Sequence, residues 1–227
     1  MCTNVLYRLY IVEQGSTDDT YAWVKKYSTE NSIATTLIRN NSNVGFPKGC
    51  NQAFAQLKDE QYVCLLNNDT IVSDNWAKHL IENINDQTLI VGPMTNRCGW
   101  RHQVLPQYKD ITDISIEQVQ QIGKQVEQNQ GTKVLAHLSG FCMLFSRDTL
   151  EQYGPFDERF LLGGGEEVDF CWKVTTSGKQ CRVVKYAYVH HLHHATFEIL
   201  DIDMSEYRAK TSALLAEKWP TDKRPKF

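Results

Sequence analysis

The stretch that most constrains the fold is Leu161–Lys173, LLGGGEEVDFCWK. Three consecutive glycines allow positive φ and a close backbone approach that side chains forbid. They deliver two adjacent carboxylates, Glu166 and Glu167, and a third at Asp169, before the chain turns apolar. A helix beginning near Glu166 puts all three in its first turn, where negative charge is favoured. Val168, Phe170, Cys171, Trp172 and Val174 then give that helix a core to pack on. One reading of this stretch is a glycine shelf with carboxylates at the rim of an apolar core, which is one way to position a general base. A surface helix with an acidic N-terminus would carry the same letters.

A second stretch has the same character. The apolar run Tyr62–Leu66 ends in Asn67-Asn68-Asp69. A buried strand stopping on such a turn sets Asp69 at the carboxyl edge of a sheet, where open α/β sheets bind ligands. One carboxylate with amides beside it suits a hard divalent cation that also takes diphosphate oxygens. An Asn/Asp-rich turn that merely ends a strand fits too.

The rest of the chain alternates between strand and helix patterns. Strands are expected at Leu6–Val12, Thr35–Arg39, Tyr62–Leu66, Leu89–Gly92, within Val134–Phe145, and at Arg182–Val184 and Ala187–His190. Helices are expected at Asp19–Tyr27, Gly49–Leu57, Asn75–Ile84, Ser115–Asn129, Asp148–Tyr153, Glu167–Thr176 and Asp203–Lys218. This alternation predicts an α/β fold with a largely parallel sheet. At 227 residues the chain fits one domain, 1–227. The polar stretch 93–132 reads as an insertion over the sheet.

Composition excludes several classes. A net charge of −3 gives no bulk attraction to nucleic acid or anionic lipid. No apolar run approaches the ~20 residues a membrane span needs. The start of the chain lacks the basic, cleavable pattern of a signal peptide. The seven cysteines are odd in number and lack paired C-x-x-C spacing. Cys64, Cys142 and Cys171 lie in apolar runs and read as reduced core residues of a cytoplasmic protein.

Four segments, in order, resemble the family-2 type of GT-A glycosyltransferases, which use nucleotide sugars. Ile11–Thr20, IVEQGSTDDT, resembles their strand-to-helix segment. Asn43–Phe54, NVGFPKGCNQAF, resembles their N-x-G-F loop, and Leu65–Thr70, LLNNDT, their metal segment. Ser139–Lys173 resembles the long acceptor-side signature, with Gly140, Gly154, Phe156, Asp157, Glu158 and Phe160 followed by Glu166-Glu167-Val168-Asp169. VHHLHHATF, from Val189, is similar to the family's late histidine string. Together these segments run from Ile11 to about Phe197.

The resemblance implies a GT-A, Rossmann-like fold and an inverting, metal-dependent transfer in polysaccharide or glycan biosynthesis. The donor would be a UDP-, GDP- or dTDP-linked sugar, and the acceptor a hydroxyl on a glycan or another molecule. Asp69 would hold Mn²⁺ or Mg²⁺ together with His191, or failing that His190. The roles of His193 and His194 stay open. Glu167 would be the catalytic base. Glu13, Ser16, Asn43, Gly45, Lys48, Asn51, Asn67 and Asn68 would lie on the donor side. Gly45 and Gly49 would let the backbone approach the donor, and Lys48 would offset its charge or be solvated. Asn51 would meet a donor hydroxyl or cap its helix. Trp100, Gly164, Gly165, Glu166 and Asp169 would lie on the acceptor side, with Trp100 stacking a sugar or packing in the core, and the 93–132 insertion acting as a lid.

Three departures from the family pattern stand out. Only ten residues precede Ile11, where the family carries a first strand and helix. The first strand would thus keep an open edge, to be covered by a second copy in a homodimer or to leave the base side of the pocket open. Glu13-Gln14 stands for the usual Asp-Asn, and Glu167 for the usual Asp. The rival readings are a nucleotidyltransferase, whose N-terminal glycine-rich basic loop is missing here, and a non-catalytic nucleotide-sugar-binding module.

Overall fold

The computed structural model describes residues 5–31, 33–109, 111–192 and 204–225. Strand β1 (Leu9–Glu13), helix α1 (Thr20–Glu30), strand β2 (Thr35–Arg39) and helix α2 (Phe46–Phe54) come first. Strands β3 (Tyr62–Leu66) and β4 (Thr70–Val72), helix α3 (Trp76–Ile81) and strand β5 (Thr88–Met94) follow. Helix α4 (Ile116–Val126), strands β6 (Thr132–Leu135) and β7 (Cys142–Ser146), and helices α5 (Arg147–Tyr153) and α6 (Glu166–Thr176) come next. Strand β8 (Gln180–His191) and helix α7 (Met204–Lys218) complete the order.

The strands form a two-stranded parallel unit, β1-β2, and a six-stranded sheet in the order β3-β7-β5-β8-β4, with β6 also paired to β8. The α/β class and the GT-A-like layering hold. The expected predominance of parallel pairing does not: β1–β2 and β5–β8 are parallel, whereas β3–β7, β5–β7, β4–β8 and β6–β8 are antiparallel. The late strand β7 slots between β3 and β5. Those two still run the same way, but β7 runs against both. Counting strand–helix alternations cannot reveal this interleaving, because it is fixed by tertiary pairing.

The sheet is covered on both faces, and strand periodicity sorts the residues. Ile90, Met143 and Phe145 enter a core with Val119, Ile122, Val126 and Phe170. Val91, Cys142 and Leu144 face the other way, toward Trp76 and Leu80 of α3. The stretch 93–132 is built into this core instead of lying over it as a lid. Its helix α4 starts on a Ser115–Gln118 capping box and buries Val119, Ile122 and Val126. That i, i+3, i+7 spacing is a core face. Cys64 is exposed, contrary to its reading as a core residue, because β3 is covered on one face only at that position. The described cysteines are free thiols. No helix among the described residues is long and apolar enough to cross a membrane.

Because β3, β5 and β8 point the same way, their carboxyl ends share one edge of the sheet. Asn67-Asn68-Asp69 leaves β3 there, Thr95-Asn96 leaves β5, and His191 ends β8. The start of β7, just after Gly140-Phe141, lies at the same edge.

Candidate active site

Asp69 and His191 meet at this edge, with His191 Nε2 3.2 Å from Asp69 Oδ1. Register brings them together: Thr70 pairs with His191, and Leu192 N donates to Asp69 O at 2.8 Å. The imidazole is oriented from behind, its Nδ1 lying 3.1 Å from Arg97 O. A carbonyl only accepts, so Nδ1 carries a proton and Nε2 faces the carboxylate. Asn96, fully buried, clamps the His191 backbone by accepting from its N–H at 2.8 Å and donating to its C=O at 3.1 Å. The His191 ring stacks on Phe141 at 5.0 Å.

His190 is not brought to Asp69. It points to the opposite face of β8, where Nδ1 is 2.8 Å from the Tyr188 hydroxyl and Nε2 is 3.0 Å from Ile111 O. Both ring nitrogens are thereby engaged. His193 and His194 lie outside the described residues. Asn67 is tied in place, its N–H donating to Phe141 O, while Asn68 is exposed.

The glycine shelf forms as the sequence requires. Gly163, Gly164 and Gly165 all have positive φ, at 119°, 103° and 140°. A Cβ on Gly165 would come within 2.6 Å of the Phe160 ring. Glu166 is buried and accepts from Gly164 N at 2.7 Å. Burial, then the neighbouring Glu167 charge, pushes its carboxyl up to about 8. Glu167 is half-buried and accepts from Gly165 N at 3.0 Å. Burial raises its carboxyl too, against the Gly165 N–H and the facing Trp100 side chain, which lower it. Its Cβ lies against Gly140, the residue before the Phe141 that carries the His191 ring. Glu167, Trp100 and the Asp69–His191 pair thus converge on one end of the sheet.

Asp169 is not brought to this surface. It is almost fully buried and held by Lys218 Nζ at 2.9 Å, Lys173 Nζ at 3.3 Å and the Trp219 indole N–H at 2.8 Å. It anchors the end of α7, and Lys218 also reaches Asp157 at 2.6 Å. The Tyr207 hydroxyl, on the same helix, lies 2.7 Å from Phe160 O and 2.8 Å from Gly163 O. Helix α7 thereby backs the shelf.

The residues expected on the donor side are largely occupied within the protein. Glu13 is buried, accepts from Ser16 N and pairs with Arg39 at 3.2 Å. Burial pushes its carboxyl up, but Ser16, Arg39 and Gly15 outweigh that and hold it below the ordinary value. Asn43 Oδ1 accepts from Gly45 N at 2.9 Å. Gly45 is needed for internal packing: a Cβ there would sit 2.0 Å from Leu161 O, and one on Gly49 would sit 2.6 Å from Gln14 Nε2. Asn51 does not cap its helix, whose N-cap is Gly45. Its Oδ1 accepts from Phe156 N at 3.0 Å and its Nδ2 donates to Phe156 O at 2.9 Å. Lys48 is exposed.

Gln14 is a residue that sequence reasoning noticed only as a departure. Its Oε1 accepts from Asn40 Nδ2 and Val44 N, and its Nε2 donates to Gly45 O, each at 3.2 Å. Gly45 in turn abuts Leu161, so Gln14 links the end of β1 to the shelf loop. Asn96 carries no comparable sequence signal, since its role depends on where β5 and β8 end.

The chain belongs to glycosyl transferase family 2, whose model matches residues 3–154. A solved structure of GalNAc-T7, with UDP, GalNAc and Mn²⁺, aligns with a TM-score of 0.70 over 96% of this chain at 16% identity. That likeness speaks for the fold, and this chain spans 43% of the length of that one. No curated protein matches the chain.

Proposed function

We propose that the protein is an inverting glycosyltransferase that moves a sugar from a nucleoside-diphosphate sugar to an acceptor hydroxyl, with a divalent cation at the donor diphosphate. The observation that carries this reading is the carboxylate Glu167, half-buried on its shelf, at the same sheet edge as the Asp69–His191 pair. The UDP and Mn²⁺ in the GalNAc-T7 structure support UDP-sugars and Mn²⁺ as the first choice.

The donor set fits such a cation. Asp69 Oδ1 and His191 Nε2 are 3.2 Å apart, and Arg97 O orients the imidazole from its other nitrogen, the usual support of a ligating histidine. An oxygen and an imidazole nitrogen suit Mn²⁺ or, less well, Mg²⁺. Among the described residues no group of three His, Cys, Asp or Glu side chains assembles, so diphosphate oxygens would complete the coordination. When bound, the cation supplies charge to stabilise the departing diphosphate.

The protein's own residues do the rest. Glu167 accepts the proton of the acceptor hydroxyl while that oxygen attacks the anomeric carbon from the face opposite the nucleotide. The bond to the diphosphate breaks and the stereochemistry inverts. Burial raises the Glu167 carboxyl toward the working pH, which favours a general base. Glu166, with its carboxyl near 8, holds a proton at neutral pH, so the two adjacent side chains do not repel as two full charges. Its bond from Gly164 N keeps the shelf in shape. Trp100, beside Glu167, offers a ring to the acceptor sugar.

The test is a panel of UDP-, GDP- and dTDP-sugars, scored for nucleoside diphosphate release with and without Mn²⁺. Release from one nucleotide class that requires Mn²⁺ is expected. Tight binding with no turnover on any acceptor would point to a non-catalytic binding module, and no binding at all would contradict the proposal.

A further inference from the structure

Three rings near this end of the sheet, those of His137, Trp172 and Trp219, are not used by the mechanism above. Trp100 follows β5, and the ring of His137, from the link between β6 and β7, meets it at 4.0 Å and 66°. On its other side His137 approaches Trp172 of α6 at 6.2 Å and 65°. Trp172 then meets Trp219 at 5.9 Å, and the Trp219 indole donates to Asp169. The four rings thus form a row from one α6 carboxylate, Glu167, to another, Asp169, and His137 is the second of them, between Trp100 and Trp172.

Resting on the reading of Glu167 as the base, we infer that His137 is a positioning residue: wedged between Trp100 and Trp172, its ring holds the Trp100 indole against the Glu167 carboxylate.

Three observations support this. The imidazole contributes no charge at neutral pH, because burial, and then His102, push it down to about 4. A neutral ring can brace Trp100 without adding a cation beside the base. The His137 Nδ1 is buried without a hydrogen-bond partner among the described residues, so polar bonding does not explain its place in the row. Trp100 reaches Glu167 from a loop, whereas Trp172 is buried on helix α6. A loop residue against a carboxylate needs a brace, and His137 joins it to the fixed helix.

The charged groups described near this array include the Arg224 guanidinium, 5.7 Å from the centre of the Trp172 ring, and Lys173 and Lys218 at Asp169. Glu167 faces Glu166 on its own helix, the Gly165 N–H and Trp100 from the β5 loop. His137 faces His102 on the short turn Arg101–Gln103, and Lys133 Nζ lies 3.4 Å from His102 Nδ1.

The experiment is a carbon-13 NMR titration of glutamate side-chain carboxyls in the whole protein without donor or acceptor, with Glu167 assigned by the signal lost in Glu167→Gln. Trp100→Phe keeps a ring and deletes the N–H, and should raise the Glu167 midpoint by about one pH unit. His137→Ala should raise it in the same direction, and His137→Phe should restore the wild-type midpoint. His137→Leu, which fills much of the space without a planar ring, should behave like alanine and serves if the alanine variant fails to fold. Overturning results are a folded His137→Ala or His137→Leu protein with an unchanged midpoint, a His137→Phe midpoint as displaced as theirs, or no change in Trp100→Phe. Because no turnover is measured, failure here is separate from failure of the proposed reaction, which an active Glu167→Gln would reveal.

Discussion

The six-stranded sheet and the β1–β2 unit are held together in different ways. In β5 every residue but Leu89 is buried, and in β7 every residue but Ser146. In β1 and β2 only Glu13 is buried. The small unit is instead tied down by polar contacts: Arg8 to Glu60 at 2.9 Å, Tyr10 to the same carboxylate at 2.7 Å, Asn40 to Gln52 at 2.9 Å, and the three bonds of Gln14. A net hydrogen bond is worth about 1 kcal/mol. Burying a large apolar side chain is worth about 1.5–3 kcal/mol. The edge that carries Asp69, His191 and Glu167 therefore rests on packed strands, while the β1–β2 unit rests largely on polar contacts.

That contrast can be broken in steps. The largest effect should come from Asp69→Ala. It should weaken Mn²⁺-dependent UDP binding, measured by calorimetry, by at least ~10²-fold, beyond the cost of losing an outer partner. The melting temperature should stay near wild type, because Asp69 lies on an edge turn. Unchanged Mn²⁺ dependence would remove Asp69 from the site.

Next is Lys218→Met, which strips the α7 clamp from the buried Asp169 and from Asp157. Breaking a buried pair costs about 3–5 kcal/mol, but Lys173 and Trp219 still reach Asp169, so about 2 kcal/mol is expected in denaturant unfolding. A neutral result would mean that the shelf does not depend on α7.

The pH response of Glu166 is a subtler probe of the packed region. Its carboxyl sits near 8 in the folded protein and near the ordinary carboxylate value when unfolded. Between those limits the folded state holds the extra proton, so stability should fall as pH rises and level off above about 8. Glu166→Gln should flatten that decline, read as melting temperature against pH. An unchanged slope would assign the decline to other groups.

The smallest effect belongs to the β1–β2 unit. Gln14→Ala should cost about 1 kcal/mol and speed amide exchange at Val44, whose N–H it receives, while leaving β5 and β7 protected. Slowed or unchanged exchange at Val44 would erase the distinction between the two regions.

Much of this was legible in sequence because it rests on local rules. The extent of β2, the strand ending at Asn67-Asn68-Asp69 and the glycine shelf follow from apolar runs, turn residues and positive-φ requirements. What was hidden depends on partners far along the chain. The choice between His190 and His191 turns on which face of β8 meets the site, and consecutive strand residues point to opposite faces. Gly45 reads as a place for ligand approach, yet the close neighbour is Leu161 O, more than a hundred residues away. Asn51 reads as a cap or donor contact, yet its partner is Phe156. Asp169 shares its turn with Glu166 and Glu167 but faces the core, which only the packing of α7 reveals.

The most direct test of the account compares the two adjacent carboxylates. Glu166→Gln and Glu167→Gln would be assayed side by side for sugar transfer with the donor found active in the panel, and for UDP binding. The account predicts that Glu167→Gln binds UDP normally and loses transfer by at least ~10²-fold, while Glu166→Gln keeps measurable transfer. A dead Glu166→Gln beside an active Glu167→Gln would contradict it and move the base one residue back along the shelf.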